Sequence, residues 1–70
     1  MHIQVSTTDP ERVRTEMLKL DPSGVWVDLD MHGGALVTMK IDDSDSDRVH
    51  AVLAVVDGWR ADGLISLMAS

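Results

Sequence analysis

The 70-residue sequence contains no cysteine, no phenylalanine and no tyrosine, and two tryptophans supply its only large aromatic rings. Disulfide bonds are therefore excluded as a source of stability, and the core has to be built from aliphatic side chains and methionine. A chain of this length has room for one domain, residues 1–70, which buries about 60% of its unfolded surface. Because such a core is marginal, we expect association with a second copy or with another protein.

Basic residues and long apolar runs are also scarce. Six Lys and Arg stand against twelve Asp and Glu, which gives a formal net charge of −6. An acidic chain lacks the basic patch that binds phosphate backbones or anionic membrane surfaces, and no apolar run approaches the ~20 residues of a bilayer span. The first residues, 1–5, show neither the basic nor the apolar part of a signal peptide. We therefore expect a cytoplasmic protein that binds neither nucleic acid directly nor membranes.

Two stretches carry apolar residues at helical spacing. Asp9-Pro10, or a Thr8–Glu11 capping box, predicts the start of the first helix, which the turn at residues 21–24 ends. Ser44 is the predicted N-cap of the second helix, and Gly63 its left-handed end. The predicted buried stripes are Val13, Met17 and Leu20 in the first helix, and Val49, Val52, Leu53, Val56 and Trp59 in the second.

Four stretches alternate apolar and polar residues with the period of a half-buried strand. They cover residues 3–6, 25–31, 35–41 and 64–68, and His32-Gly33-Gly34 forms a tight hairpin turn between the middle two. In the second strand, the face predicted to be buried consists of Val25, Val27, Leu29 and Met31.

The predicted order β-α-β-β-α-β indicates an α+β domain of the ferredoxin-like split βαβ type. Two helices would cover one face of a four-stranded antiparallel sheet, with the first and third strands at its centre. The other sheet face would be left open. Because many unrelated functions use this fold, the order of elements does not predict an activity.

The open face is where the alternation places four large apolar side chains without a covering helix. The predicted interface residues are Trp26, Leu36, Leu64 and Met68. Apolar patches rimmed by polar groups mark protein–protein interfaces, and tryptophan is a frequent anchor in them. We therefore expect a non-enzymatic protein–protein interaction module that forms a homo-oligomer or binds a protein partner through this face.

Residues that carry chemistry are present without the spacing that chemistry needs. Asp43, Asp45 and Asp47 alternate like calcium ligands, but Arg48 and Ala54 replace the glycine and the glutamate of that loop. The three histidines are far apart, and neither a nucleophile elbow nor a phosphate loop occurs. We predict no catalytic residue, metal site or cofactor; the Asp triplet is either a solvated helix cap or a weak divalent-cation site.

Two alternative functions remain open at this point. A ligand-sensing domain of the ACT-like kind shares this element order, and such domains commonly carry Pro-Gly after the first strand, where this chain has Asp9-Pro10-Glu11. An acidic decoy would instead compete for a basic, nucleic-acid-binding protein, using the acidic helix face of Asp43, Asp47 and Asp57.

Overall fold

A computed structural model describes residues 1–29 and 34–69, with the backbone alone for residues 67–69. The elements are β1 (His2–Thr7), α1 (Pro10–Leu18), β2 (Gly24–Leu29), β3 (Ala35–Lys40), α2 (Ser46–Ala61) and β4 (Leu67–Ala69). The predicted α+β class, with two helices and an antiparallel sheet, is confirmed. Most of the predicted hairpin turn, and Met31 before it, lie outside the described residues.

Three six-residue strands make up the body of the sheet. β3 pairs antiparallel with β1 on one side and with β2 on the other. The short β4 pairs with the outer edge of β1, which gives the order β2-β3-β1-β4. The last strand was predicted to start at Leu64, and this is wrong: β4 begins three residues later. The described sheet therefore has β2 at one edge and β4 at the other.

Both helices start at an aspartate that caps their free N–H groups. Asp9 accepts a hydrogen bond from the N–H of Arg12 at 3.3 Å, so the Asp9-Pro10 start is the correct one of the two alternatives. Asp45, rather than the predicted Ser44, caps α2 and accepts from the N–H groups of residues 47 and 48. Among the described residues, neither helix has the length and apolar character that crossing a membrane requires.

The end of α2 explains why the last strand starts late. Gly63 adopts a φ of 80°, as predicted for the residue that ends the helix. Its N–H donates to the carbonyl oxygen of Arg60 at 3.1 Å, and the N–H of Leu64 donates to that of Trp59 at 2.9 Å. This pair of bonds is a Schellman motif. Because it holds Leu64 against the helix end, Leu64 is not available for strand pairing.

The core lies between the sheet and the two helices. Its buried members are Ile3, Val5, Val13, Met17, Val37, Met39, Ile41, Val52, Val56 and Ile65. Leu20, Val49, Leu53 and Trp59, which the helical stripes predicted as buried, pack against this core but remain partly exposed.

β2 departs most from its predicted burial. Val25 packs against the core, but the side chains of Val27 and Leu29 on the same face are 39% and 85% exposed. The prediction that this whole face is buried is therefore wrong. Alternation identifies which residues share a face but not how far the helices extend over it. β2 is an edge strand, and among residues 1–29 and 34–69 no element covers its far end at Leu29.

Thr7 is a buried polar residue at the point where three segments meet. Its hydroxyl donates to the carbonyl oxygen of Leu64 at 2.7 Å and accepts from the N–H of Asp9 at 3.0 Å. It thereby joins the end of β1 to the cap of α1 and to the segment before β4.

We expect Thr7→Val to lower the free energy of unfolding by about 1–3 kcal/mol, because both backbone partners lose their hydrogen bond in a buried site. Thr38→Val is the matched control: the Thr38 hydroxyl accepts one exposed hydrogen bond from Gln4, at 3.4 Å. Urea denaturation of both variants measures the difference, and equal losses would contradict the role given to Thr7.

Candidate protein-interaction surface

The structure brings together two of the four predicted interface residues. Trp26 on β2 and Leu36 on β3 lie on the sheet face opposite the helices, where Trp26 is 48% exposed and Leu36 is half-buried. Leu64 lies outside the strands and packs against the core. Met68 pairs with Val5 in the β4–β1 register, and its side chain lies outside the described part of the chain. Leu64 is therefore not part of a common patch with Trp26 and Leu36.

Trp26 lies flat along its own strand because Gly24 leaves room for it. A Cβ atom at Gly24 would stand 3.0 Å from Cη2 of the indole, which is closer than ordinary contact. The indole also approaches the imidazole of His2, with 6.0 Å between ring centroids. The absence of a side chain at Gly24 thus leaves space for the indole ring. Trp26 remains 48% exposed.

The rest of the open face is polar along β1, β2 and β3. Gln4 and Thr38 are joined by a side-chain hydrogen bond at its centre. The other polar members, by register and alternation, are His2, Ser6, Asp28 and Lys40. On these three strands, the large apolar side chains of this face are therefore those of Trp26 and Leu36.

The largest exposed apolar side chains on the sheet gather at β2 instead. Trp26 projects from one face of this strand, and Val27 and Leu29 from the other. Leu18, 50% exposed, ends the helix that packs over β2. Apolar residues on both faces are typical of a strand that is covered on both faces, yet both faces of β2 are exposed at these residues.

The ladder pattern identifies which backbone groups of β2 are free. Met1 and Ile41 exchange two hydrogen bonds, so the paired positions between β1 and β3 are the odd-numbered ones. Antiparallel ladders alternate, so the even-numbered residues of β3 face β2. Through the register Trp26↔Thr38, the backbone groups of Val25, Val27 and Leu29 then point away from the sheet. The free edge carries three N–H groups and three carbonyl oxygens.

Charge is distributed unevenly around this surface. Residues 42–62, which include α2, contain six Asp against Arg48 and Arg60, and so carry −4 of the net −6. The remaining residues contain six acids against four bases, three of which are on or next to α1. The acidic excess is therefore concentrated in the α2 segment, and β2 itself carries one charged residue, Asp28.

One member of the Asp triplet, Asp45, is the N-cap of α2. The carboxylate of Asp45 accepts hydrogen bonds from the N–H groups of residues 47 and 48. Next to the triplet, Asp42 accepts a hydrogen bond from the N–H of Ser44 at 3.0 Å, and the Ser44 contacts lower the pKa of this carboxyl. Within residues 1–29 and 34–69, no three His, Cys, Asp or Glu side chains are grouped so that they could hold a metal ion.

A second feature is a cleft of about 440 Å³ between the start of α1 and the end of α2. Its lining residues are Thr8, Asp9, Arg12, Glu16, Trp59, Asp62, Gly63 and Leu64. The lining is mostly polar, with Trp59 as its one aromatic ring among the described residues. Three carboxylates and one guanidinium give the cleft hydrogen-bonding groups of both signs.

Sequence reasoning identified Trp26 but not Val27 or Leu29. The predicted strand order puts the second strand at an edge of the sheet, but it does not give how far the first helix reaches over that strand. Sequence alternation alone assigned both residues to the core.

We expect Gly24→Ala to displace the Trp26 indole, because the added methyl group takes up the space beneath the ring. In a Trp59→Phe background, Trp26 fluorescence should shift to longer wavelength as the ring becomes more exposed. Gly58→Ala is the control, since nothing lies within 4 Å of its added Cβ, and it should gain about 0.5–1 kcal/mol of stability in the helix. An unshifted spectrum in Gly24→Ala would rule out close packing of the indole against Gly24.

No family model matches the sequence, and neither the curated proteins nor the solved structures include a significant match to it. The functional assignment accordingly depends on the chemistry of the surfaces described above.

Proposed function

We propose that this chain is a small, acidic, non-enzymatic protein-interaction module that binds through the edge and the two faces of β2. The observation that carries the proposal is the exposure of Trp26, Val27 and Leu29 on one edge strand. The sequence placed the interface on the open sheet face. The proposal keeps Trp26 from that face and moves the centre of the surface to the strand edge.

The chemistry of this edge favours strand addition. An extended segment of a partner can pair with the free N–H and carbonyl groups of Val25, Val27 and Leu29, and main-chain hydrogen bonds then supply affinity. Alternate side chains of that segment would lie beside Val27 and Leu29 on one face and beside Trp26 on the other. Burial of these partly exposed groups contributes about 25 cal/mol per Å² of apolar surface. The partner sequence most compatible with β2 is therefore extended, with apolar residues on both faces.

We also propose that the fold is the four-stranded ferredoxin-like split βαβ. The order β2-β3-β1-β4 and the packing of α1 over β2 and β3 support this assignment. In that arrangement β2 is an edge strand by topology, which makes it the natural place for a further strand.

The proposal is tested by selecting short random peptides for binding to the protein. We expect enrichment of extended, apolar-rich peptides, and about tenfold weaker binding of these peptides to Leu29→Asp, because a charge replaces an apolar contact beside the new strand. Leu29 is 85% exposed, so this substitution should change the folding free energy by less than about 0.5 kcal/mol.

Val55→Asp is the control for the peptide selection. Val55 is 41% exposed on α2, away from the sheet edge, and its substitution should leave peptide binding unchanged. Failure to enrich any peptide whose binding depends on Leu29 would contradict strand addition to another protein.

A second candidate function is ligand sensing of the ACT-like kind, favoured by the position of the cleft. Thr8 and Asp9 at the end of β1 line the cleft, and this is the turn where the ACT-like alternative places its ligand. At that turn this chain has Asp9-Pro10-Glu11 where ACT-like domains commonly have Pro-Gly, so its resemblance to them is weaker there. A small polar molecule with an amino or carboxyl group matches the lining, in which Arg12 and Glu16 offer opposite charges.

We expect a ligand of this cleft to raise the melting temperature by several degrees at saturating concentration, because binding to the folded state alone stabilises it. Thermal shift with the common amino acids and nucleotides measures this, and Arg12→Gln should remove the shift given by an anionic ligand. A flat response across the whole panel would weigh against this candidate.

A further inference from the structure

We propose that the partner of β2 is the β2 strand of a second copy of this chain, paired antiparallel about a two-fold axis through Val27. This inference rests on the proposed function, since it names the occupant of the same edge. The two sheets would join into one continuous sheet. Their helices would lie on the same side of it, because a two-fold axis perpendicular to the sheet preserves its faces.

Two-fold symmetry limits the register to a few choices, and the backbone distinguishes them. In the register centred on Val27, each Val27 pairs with Val27 of the second copy, and Val25 pairs with Leu29. All three outward-facing residues of each copy then exchange backbone hydrogen bonds. Registers centred on Trp26 or Asp28 leave one of these residues without a pair in each copy. The register centred on Val27 therefore satisfies the most edge groups.

The side chains agree with the same register. On the helix face, the exposed Leu29 would lie opposite the partly buried Val25 of the second copy, next to the apolar core. On the open face, Trp26 would lie opposite Asp28. A register centred on Asp28 would instead place two carboxylates directly opposite each other, which is destabilising.

The charge distribution favours a second copy at this edge. Two copies of an acidic chain repel each other, and the repulsion is smallest where the local charge is lowest. The α2 side carries −4 of the net charge, and in this arrangement the two α2 helices lie on the far sides of the dimer. Each β2 strand brings one charged side chain, that of Asp28, to the contact.

The edge also lacks the features that usually prevent strand pairing. Natural edge strands are commonly short or protected by lysine, proline or a bulge. β2 has six residues and contains no Lys, Arg or Pro. Its one charged residue, Asp28, directs its backbone groups toward β3.

The expected affinity is modest. A contact along six residues extends for about 20 Å, and it buries less than the ~800 Å² per partner of a standard interface. We therefore expect a dissociation constant on the order of 10–100 µM at moderate salt, within reach of light scattering and sedimentation.

The test uses single cysteines, since the sequence contains none. Opposed residues of a hydrogen-bonded antiparallel pair have Cα atoms about 5.5 Å apart, within the range that a disulfide spans. We expect Val27→Cys to form a disulfide-linked dimer under mild oxidation at least about tenfold faster than Val55→Cys. The two valines are 39% and 41% exposed, which makes the second a matched control. In guanidinium chloride the two rates should become equal.

Two further measurements test whether the partner is a second copy and whether the register is centred on Val27. Light scattering on the unmodified chain should show its mass double with concentration, with about tenfold weaker association in Leu29→Asp and no change in Val55→Asp. Equal cross-linking of Val27→Cys and Val55→Cys in the folded protein, or faster cross-linking of Trp26→Cys than of Val27→Cys, would overturn the proposed pairing. A chain that stays monomeric at millimolar concentration would also overturn it.

The outcomes separate this inference from the proposed function. If the chain is monomeric and peptides still bind in a Leu29-dependent way, the second copy is wrong as the partner and strand addition stands. If peptide binding and self-association are both absent, both proposals are wrong.

Discussion

The rest of the structure depends on the pairing of β3 with its two neighbours. Ala35, Val37 and Met39 direct their side chains into the core, while the alternate residues face the open side of the sheet. A slip of one residue would exchange these two sets, so burial of Val37 and Met39 determines the register. The same register decides which backbone groups of β2 bond to β3 and which remain free. Core packing and the free edge are thus two consequences of one constraint.

Local signals in the sequence were enough to predict the element types and most of their ends. Asp9 and Gly63 were identified correctly because capping and a positive φ depend on adjacent residues. Ser44 is predicted as the cap of α2 because Asp47 follows three residues later, yet Asp45 caps the helix. Both residue types cap helices, so the choice depends on backbone geometry. The last strand was misplaced because Leu64 alternates like a strand residue while its N–H is held by the end of α2.

The candidate site shows where local patterns stop being informative. Trp26 was recognised because alternation placed it opposite Val25, and a bulky residue on that face has no covering helix. Leu29 was missed for the same reason, because alternation grouped it with Val25 as a core residue. How much of β2 is covered depends on strand order and on the reach of α1, which are contacts between residues distant in sequence. The exposure of Leu29 therefore becomes visible only when the elements are assembled.

An apolar edge strand in a small protein creates a risk of open-ended aggregation, and the two edges of this sheet differ in a way that limits it. If β2 pairs with β2, the β4 edge of each copy stays free. α2, with the acidic excess of the chain, packs against β4, so a further copy approaching that edge would meet like charge. The acidic residues are thus concentrated on the side of the molecule where further association would have to occur, and their repulsion opposes growth beyond two copies.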